Sequence, residues 1–249
     1  MTPDAGSPDP LLPDASCMTG RDGPAWSTGR GSPPLRRARL PTAGSAAYGW
    51  DMSDGLEDVL NDLADEIGRI GPERGGDPTP CAEYDVATLR RHVLSWLPVF
   101  ATALSDPQGA RPRPDPEVYR APTDPAQAAE QVRGCAADVA AALAAGVADR
   151  PVVLQGANPL PGRMVIDMLT AEVIAHGWDL ARATGQSWQP PQEVCDAALR
   201  GLRGVLSPEY RGEGKSFGVE VEAAPDSTPL GRLLAFTGRT ATWVPPSAG

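Results

Sequence analysis

The chain has 249 residues, 41% of them apolar and 22% charged, and carries a net charge of −10 at neutral pH. That is enough apolar material for a sizeable core, which excludes a miniprotein held together by staples. The acidic balance is the wrong sign for a protein that neutralises phosphates over a broad surface or lies on an anionic membrane, so no nucleic-acid or membrane partner is expected.

Residues 1–50 hold eight of the 28 prolines and seven of the 27 glycines, with apolar residues too scattered to form a periodic face. Such a segment cannot repay the entropy of ordering itself, and a disordered Pro/Gly-rich extension is expected there. The folded domain is expected over 51–246. Periodicity begins near Asp54, where Leu56, Val59, Leu60, Leu63, Ile67 and Ile70 recur at three- and four-residue steps, predicting an amphipathic helix that ends before Gly71-Pro72. Asp85 is placed to cap a second helix with Leu89, His92, Val93, Trp96, Phe100 and Leu104 on one face. Pro98 lies inside that helix and, lacking an amide hydrogen, is expected to kink or break it. Five prolines between 105 and 122 mark a long surface connection. A third helix is expected to start with Thr123 as its cap and Pro125 in its first turn, its alanine-rich face packing closely. Residues 152–154 read as a short strand and "GANPLPG" (156–162) as a turn. A fourth helix follows over 163–184, closed by Gly185, and a fifth over about 191–206. Residues 217–221 alternate like a strand, and "PLGRLLAFTG" (229–238) reads as a short closing helix. Five or six helices with at most two short strands predict a mainly α, antiparallel helical bundle.

Cys17, Cys81, Cys135 and Cys195 show no paired spacing for a zinc knuckle or a redox CxxC, and read as mostly unbridged thiols in a reducing compartment. The alanine-rich stretch 139–148 is too short to cross a bilayer. Asp4, Asp9 and Asp14 precede any arginine, and no apolar run follows Arg36-Arg37, so no export signal fits and a cytoplasmic location is expected.

Steps of four through the fourth helix pass Met164, Met168, Glu172, His176 and Leu180, flanked by Val165, Leu169 and Val173. A glutamate and a histidine thus sit within an apolar column. Burying an unpaired carboxylate costs on the order of several kcal/mol, so Glu172 requires a cation or a proton. The i,i+4 spacing puts both side chains over one turn. His92, the other of only two histidines, also falls on an apolar face. A His-Glu-His set from two helices leaves coordination positions open, as in a catalytic zinc site, and the same donors suit iron, nickel or manganese. Spacing alone leaves two plainer accounts open: each histidine is a hydrogen-bonded interior residue, or Glu172 and His176 simply pair with each other. Nearby candidates carry double readings too. Asp179 orients His176 by accepting its second N–H, or forms a surface ion pair. Trp96 and Trp178 wall the site, or are plain packing. Arg182 receives a substrate carboxylate, or is solvated near the helix end. Cys81 is a thiol near the entrance, or a small buried hydrophobe.

The strings "PTPC" (78–81), "VATLRRHV" (86–93), "LTAEVIAHGWDLARATG" (169–185) and "PLGRLLAFTGR" (229–239) resemble the metal-binding domain of the mycothiol-dependent maleylpyruvate isomerase family, within the DinB-like superfamily, over roughly residues 54–243. The resemblance implies a DinB-like antiparallel four-helix bundle with an extra short helix and one or two short strands. It implies a divalent ion, zinc above all, on His92, Glu172 and His176, with mycothiol as cosubstrate. Tyr84 stands where relatives usually carry tryptophan, and Pro98 interrupts a helix that normally runs on. The likeness favours an uncharacterised actinobacterial branch over the isomerase itself. The implied activity is attack by a metal-bound thiolate of a low-molecular-weight thiol on a small-molecule electrophile, as an S-transferase or isomerase, with Arg182 or a neighbour holding substrate charge. The alternative is a non-enzymatic metal-binding bundle acting through a protein partner. An iron oxygenase and metal-activated hydrolysis use the same donors.

Overall fold

The computed structural model describes residues 52–156, 158–206, 208, 211–212 and 217–246, so Cys17 and the extension expected at 1–50 lie outside the described residues. The described chain is mainly helical: α1 (Met52–Gly68), α2 (Val86–Ser105), α3 (Pro125–Ala144), α4 (Gly162–Thr184), α5 (Gln192–Val205) and α6 (Pro229–Phe236). Two strands, β1 (Pro151–Val152) and β2 (Leu160–Pro161), form a minimal antiparallel pair with Val152 opposite Leu160. Helices α1 and α2 each pack against both α3 and α4, so the four form a bundle; α5 lies on α4, and α6 on α5. No described helix is long and apolar enough to cross a membrane.

The stripe on α1 is wholly inside, with Leu56, Val59, Leu60, Leu63 and Ile67 fully buried. At the start of α2, Thr79 Oγ1 lies within hydrogen-bond reach of the carbonyls of Cys81 and Tyr84 and shapes the turn. Asp85 Oδ1 then accepts from Thr88 N at 2.7 Å, satisfying one of the amides a helix start leaves unpaired. Helix α4 is the central element. Every residue except Arg163, Met164, Arg182 and Thr184 is buried, because α1, α2, α5, α6 and the strand pair all contact it. Gly185 adopts a left-handed φ of 73° at its end, which glycine reaches without a Cβ clash. Inside the helix, Gly177 lets the Trp188 indole lie against the backbone: a Cβ there would sit 2.3 Å from a ring carbon. Trp188 Nε1 donates to Ile174 O at 3.1 Å.

Four expectations are corrected. Helix α2 runs through Pro98 without the break that was one of the two outcomes expected there. The carbonyl that proline deprives of its partner, that of Leu94, instead accepts from Gln131 Nε2 of α3 at 2.8 Å, and Tyr119 hydrogen-bonds the other end of that amide. Neighbouring side chains can thus restore what proline removes. Helix α3 is capped by Asp124 rather than Thr123, its carboxylate accepting from Ala126 N at 3.0 Å, with Pro125 as the first helical residue. The segment read as a turn at 156–162 contains β2. Residues 217–221 do not form a strand: Phe217 makes one isolated bridge to Arg211, and Val221 N bonds Ala235 O at the end of α6. A helix terminus offers single carbonyls, not the continuous row of donors and acceptors a strand needs.

Candidate metal centre

Two helices supply the donors. The Asp85 cap sets the start of α2 and puts His92 two turns in, facing α4, where it is buried. Glu172 and His176 lie one turn apart on α4, with Glu172 Oε2 and His176 Nε2 separated by 3.2 Å. The two imidazoles meet edge to face with centroids 5.2 Å apart. One ligand atom each from His92, Glu172 and His176 lies within 4.8 Å of the others. Glu172 Oε1 is buried and has no hydrogen-bond partner among the described residues. An orphaned carboxylate oxygen beside two imidazole nitrogens fits a divalent ion, because a cation removes the cost of leaving it unpaired.

Behind His176 stands a second layer. Asp179 is fully buried, and its Oδ2 lies 3.2 Å from His176 Nδ1. Arg239, beyond α6, reaches the same oxygen with NH2 at 2.8 Å and donates NH1 to Thr237 O at 3.0 Å. With Nδ1–H donated to Asp179, the lone pair of His176 is on Nε2, toward Glu172 and His92. Burial opposes ionisation of Asp179, but the Arg239 charge and the bond from His176 hold its carboxyl below the usual range. Burial, reinforced by His176, Arg91 and Arg239, holds His92 well below the ordinary histidine value, so it is a neutral donor. Burial likewise works against charging His176, yet its bonds to Asp179 and Glu172 push it up to about 9. An ion therefore competes with one proton for His176 Nε2.

The donors open into a cavity whose other walls are Val93, Trp96, Leu97, Phe100, Leu169 and Val173. Its free room of about 20 Å³, within an open depression of about 260 Å³, accommodates a water molecule or an ion. Tyr84 stacks near His92, with ring centroids 5.5 Å apart.

Of the neighbouring candidates, Asp179 contacts His176 and Trp96 lines the cavity. Trp178, Arg182 and Cys81 are not among its lining residues. Trp178 is buried with the Arg182 guanidinium over its ring, and Arg182 NH2 donates to the Trp243 carbonyl. Cys81, Cys135 and Cys195 are buried and form no disulfide among the described residues. Burial, with nearby acidic charge, pushes Cys135 up to about 11 and Cys195 to about 12, so both stay protonated. Sequence reasoning missed Arg239, whose only signal is a lone charge after the glycine of "FTGR". It also missed Glu66, which continues the buried α1 stripe from Val59 and Leu63 to Ile70. Glu66 is 2% exposed, with neither carboxyl oxygen hydrogen-bonded among the described residues. Burial, with a smaller contribution from Asp179 and against the pull of Arg69, pushes it up to about 9, so α1 carries a neutral acid.

The family model for the mycothiol maleylpyruvate isomerase N-terminal domain matches residues 56–181, which include all three donors. Two relatives from Mycobacterium tuberculosis, one from strain CDC 1551 / Oshkosh and one from strain ATCC 25618 / H37Rv, are both named as uncharacterized proteins. Each is 30% identical over 174 residues, covering 70% of this chain and 90% of the relative. No solved structure matches.

Proposed function

The chain belongs to the mycothiol maleylpyruvate isomerase N-terminal domain family, and on that premise we propose that it binds a divalent metal ion and uses mycothiol or a similar small thiol to act on a small electrophile. The reaction is S-transfer or isomerisation. His92, Glu172 and His176 hold the ion, zinc by preference. The observation that carries this reading is the buried Glu172 Oε1, without a hydrogen-bond partner among the described residues, beside two imidazoles.

A divalent ion bound there supplies stabilisation of a thiol as its nucleophilic anion at neutral pH. The chain's own residues do the rest. His92 stays neutral and offers a lone pair. Asp179 keeps the second proton of His176 on Nδ1, and Arg239 keeps Asp179 ionised. The Val93, Trp96, Leu97 and Phe100 wall limits the water that would compete with a thiol.

Metal quantification tests the site: near-stoichiometric ion in the wild type, lost in His92→Ala, Glu172→Ala and His176→Ala. Mycothiol added to the cobalt-substituted protein should then change its visible spectrum. Protein without ion, or a spectrum indifferent to thiol, overturns the reading. Chelation separates the non-enzymatic alternative, since an ion that only holds the bundle together predicts loss of helical content on removal.

A further inference from the structure

The two histidines are held in place by different means. His176 is oriented by the hydrogen bond between its Nδ1 and Asp179. Among the described residues no hydrogen bond reaches the ring of His92, and what surrounds it is other rings: Tyr84 with centroids 5.5 Å apart, Trp96 at 6.4 Å and His176 at 5.2 Å. The difference matters because the outer side-chain torsion of a histidine is broad and roughly two-fold. A half-turn about that bond puts a C–H where a nitrogen was, so an imidazole that no hydrogen bond orients can offer an ion the wrong edge.

Trp96 stands one turn on along the same helix, whereas Tyr84 comes from the turn that precedes α2. That turn is firmly tied. Tyr84 is 5% exposed, its amide donates to Cys81 O at 2.9 Å, and its carbonyl lies 2.7 Å from Thr79 Oγ1. Val86 N donates to Asp77 O at 3.0 Å and Ala87 N to Gly75 O at 2.9 Å, which fastens the turn to the start of the helix. The Tyr84 ring is therefore fixed relative to the backbone that carries His92.

We propose that Tyr84 is a positioning residue of the metal centre: its ring, together with Trp96, blocks rotation of the His92 imidazole and selects the edge turned toward Glu172 and His176. This rests on the metal-binding reading above. The separations fall within the range of about 4.5–7 Å at which aromatic rings attract and hinder one another. The contact is ring against ring, so phenylalanine should serve in place of tyrosine and a branched aliphatic chain should not.

The test uses the full chain labelled at its histidines, of which there are only two. In the metal-free wild type, NMR is expected to show one set of His92 ring signals, with cross-relaxation from the Tyr84 ring reaching a single edge. In chelator competition, Tyr84→Phe should bind zinc within about 2-fold of wild type. Tyr84→Leu should bind it about 10-fold more weakly and show a second or exchange-broadened set for His92 while the His176 signals stay in place. Two His92 orientations in the wild type, unchanged affinity in folded Tyr84→Leu, or Tyr84→Phe as weak as Tyr84→Leu overturns the proposal. The wild-type spectrum needs no variant, so it decides even where Tyr84→Leu does not fold. A single His92 orientation in a chain that takes up no zinc sinks the metal-binding reading and leaves the clamp standing. Zinc bound by a chain whose His92 turns freely sinks the clamp alone.

Discussion

Glu66→Gln isolates the buried acid of α1. The glutamate is 2% exposed and its carboxyl oxygens have no partner among the described residues. It ionises near 4.5 when unfolded and is pushed up to about 9 in the fold. Between those values folding takes up a proton, so its contribution is complete below pH 4.5 and drains away as pH rises through 9. The slope is about 1.4 kcal/mol per pH unit, which amounts to about 3 kcal/mol lost by pH 7. Glutamine keeps the shape and has no proton to lose. The difference in unfolding free energy between Glu66→Gln and wild type should be near zero or slightly unfavourable at pH 4.5. It should grow to about 3 kcal/mol in favour of the variant at pH 7. His176, also pushed up to about 9, drains stability from both proteins over the upper part of this range and cancels in the difference. Urea unfolding followed by circular dichroism at pH 5, 6, 7 and 8 measures it. Parallel pH profiles for the two proteins would refute the reasoning.

Gly177→Ala places a methyl 2.3 Å from a Trp188 ring carbon, so the indole must move and its bond to Ile174 O is lost. A net destabilisation of about 2 kcal/mol is expected despite alanine's better helix propensity, visible as a lowered melting temperature with red-shifted tryptophan emission. Gln131→Leu orphans the Leu94 carbonyl and should cost about 1–3 kcal/mol; adding Pro98→Ala returns an amide to that carbonyl and should recover most of the loss, as a double-mutant cycle would register. Asp179→Asn removes the buried carboxylate charge that Arg239 NH2 meets at 2.8 Å, a loss of about 3–5 kcal/mol in chemical unfolding. It should also weaken zinc binding by about 10- to 100-fold in a chelator competition. Asp179→Asn combined with Arg239→Met should regain stability without regaining zinc affinity, and recovery of both would show that Asp179 does not orient His176.

The features legible in the chain were those encoded over one or two helical turns. The α1 stripe, the Asp85 cap and the left-handed Gly185 each depend on residues within a few positions of one another. So does the placing of Glu172 and His176 over one turn. His92 was legible as facing inward because Leu89 and Trp96 share its face. The errors arose where a local rule met a distant partner. Pro98 was expected to disrupt α2, but Gln131, thirty-three positions on, takes up the stranded carbonyl. The alternating segment at 217–221 finds a helix end rather than a strand edge.

Periodicity tells which way a side chain points, and that much this sequence determined by itself: helices with apolar faces, and two histidines and a glutamate turned into them. It says nothing about which element lies opposite. Only the tertiary structure decided that α2 packs on α4, so that His92 meets His176. The same is true of Arg239, which comes from sixty positions away to hold Asp179, and of Glu66, whose carboxyl finds no partner among the described residues. A buried charge's ionisation state depends on what surrounds it in space, and chain order does not encode that neighbourhood.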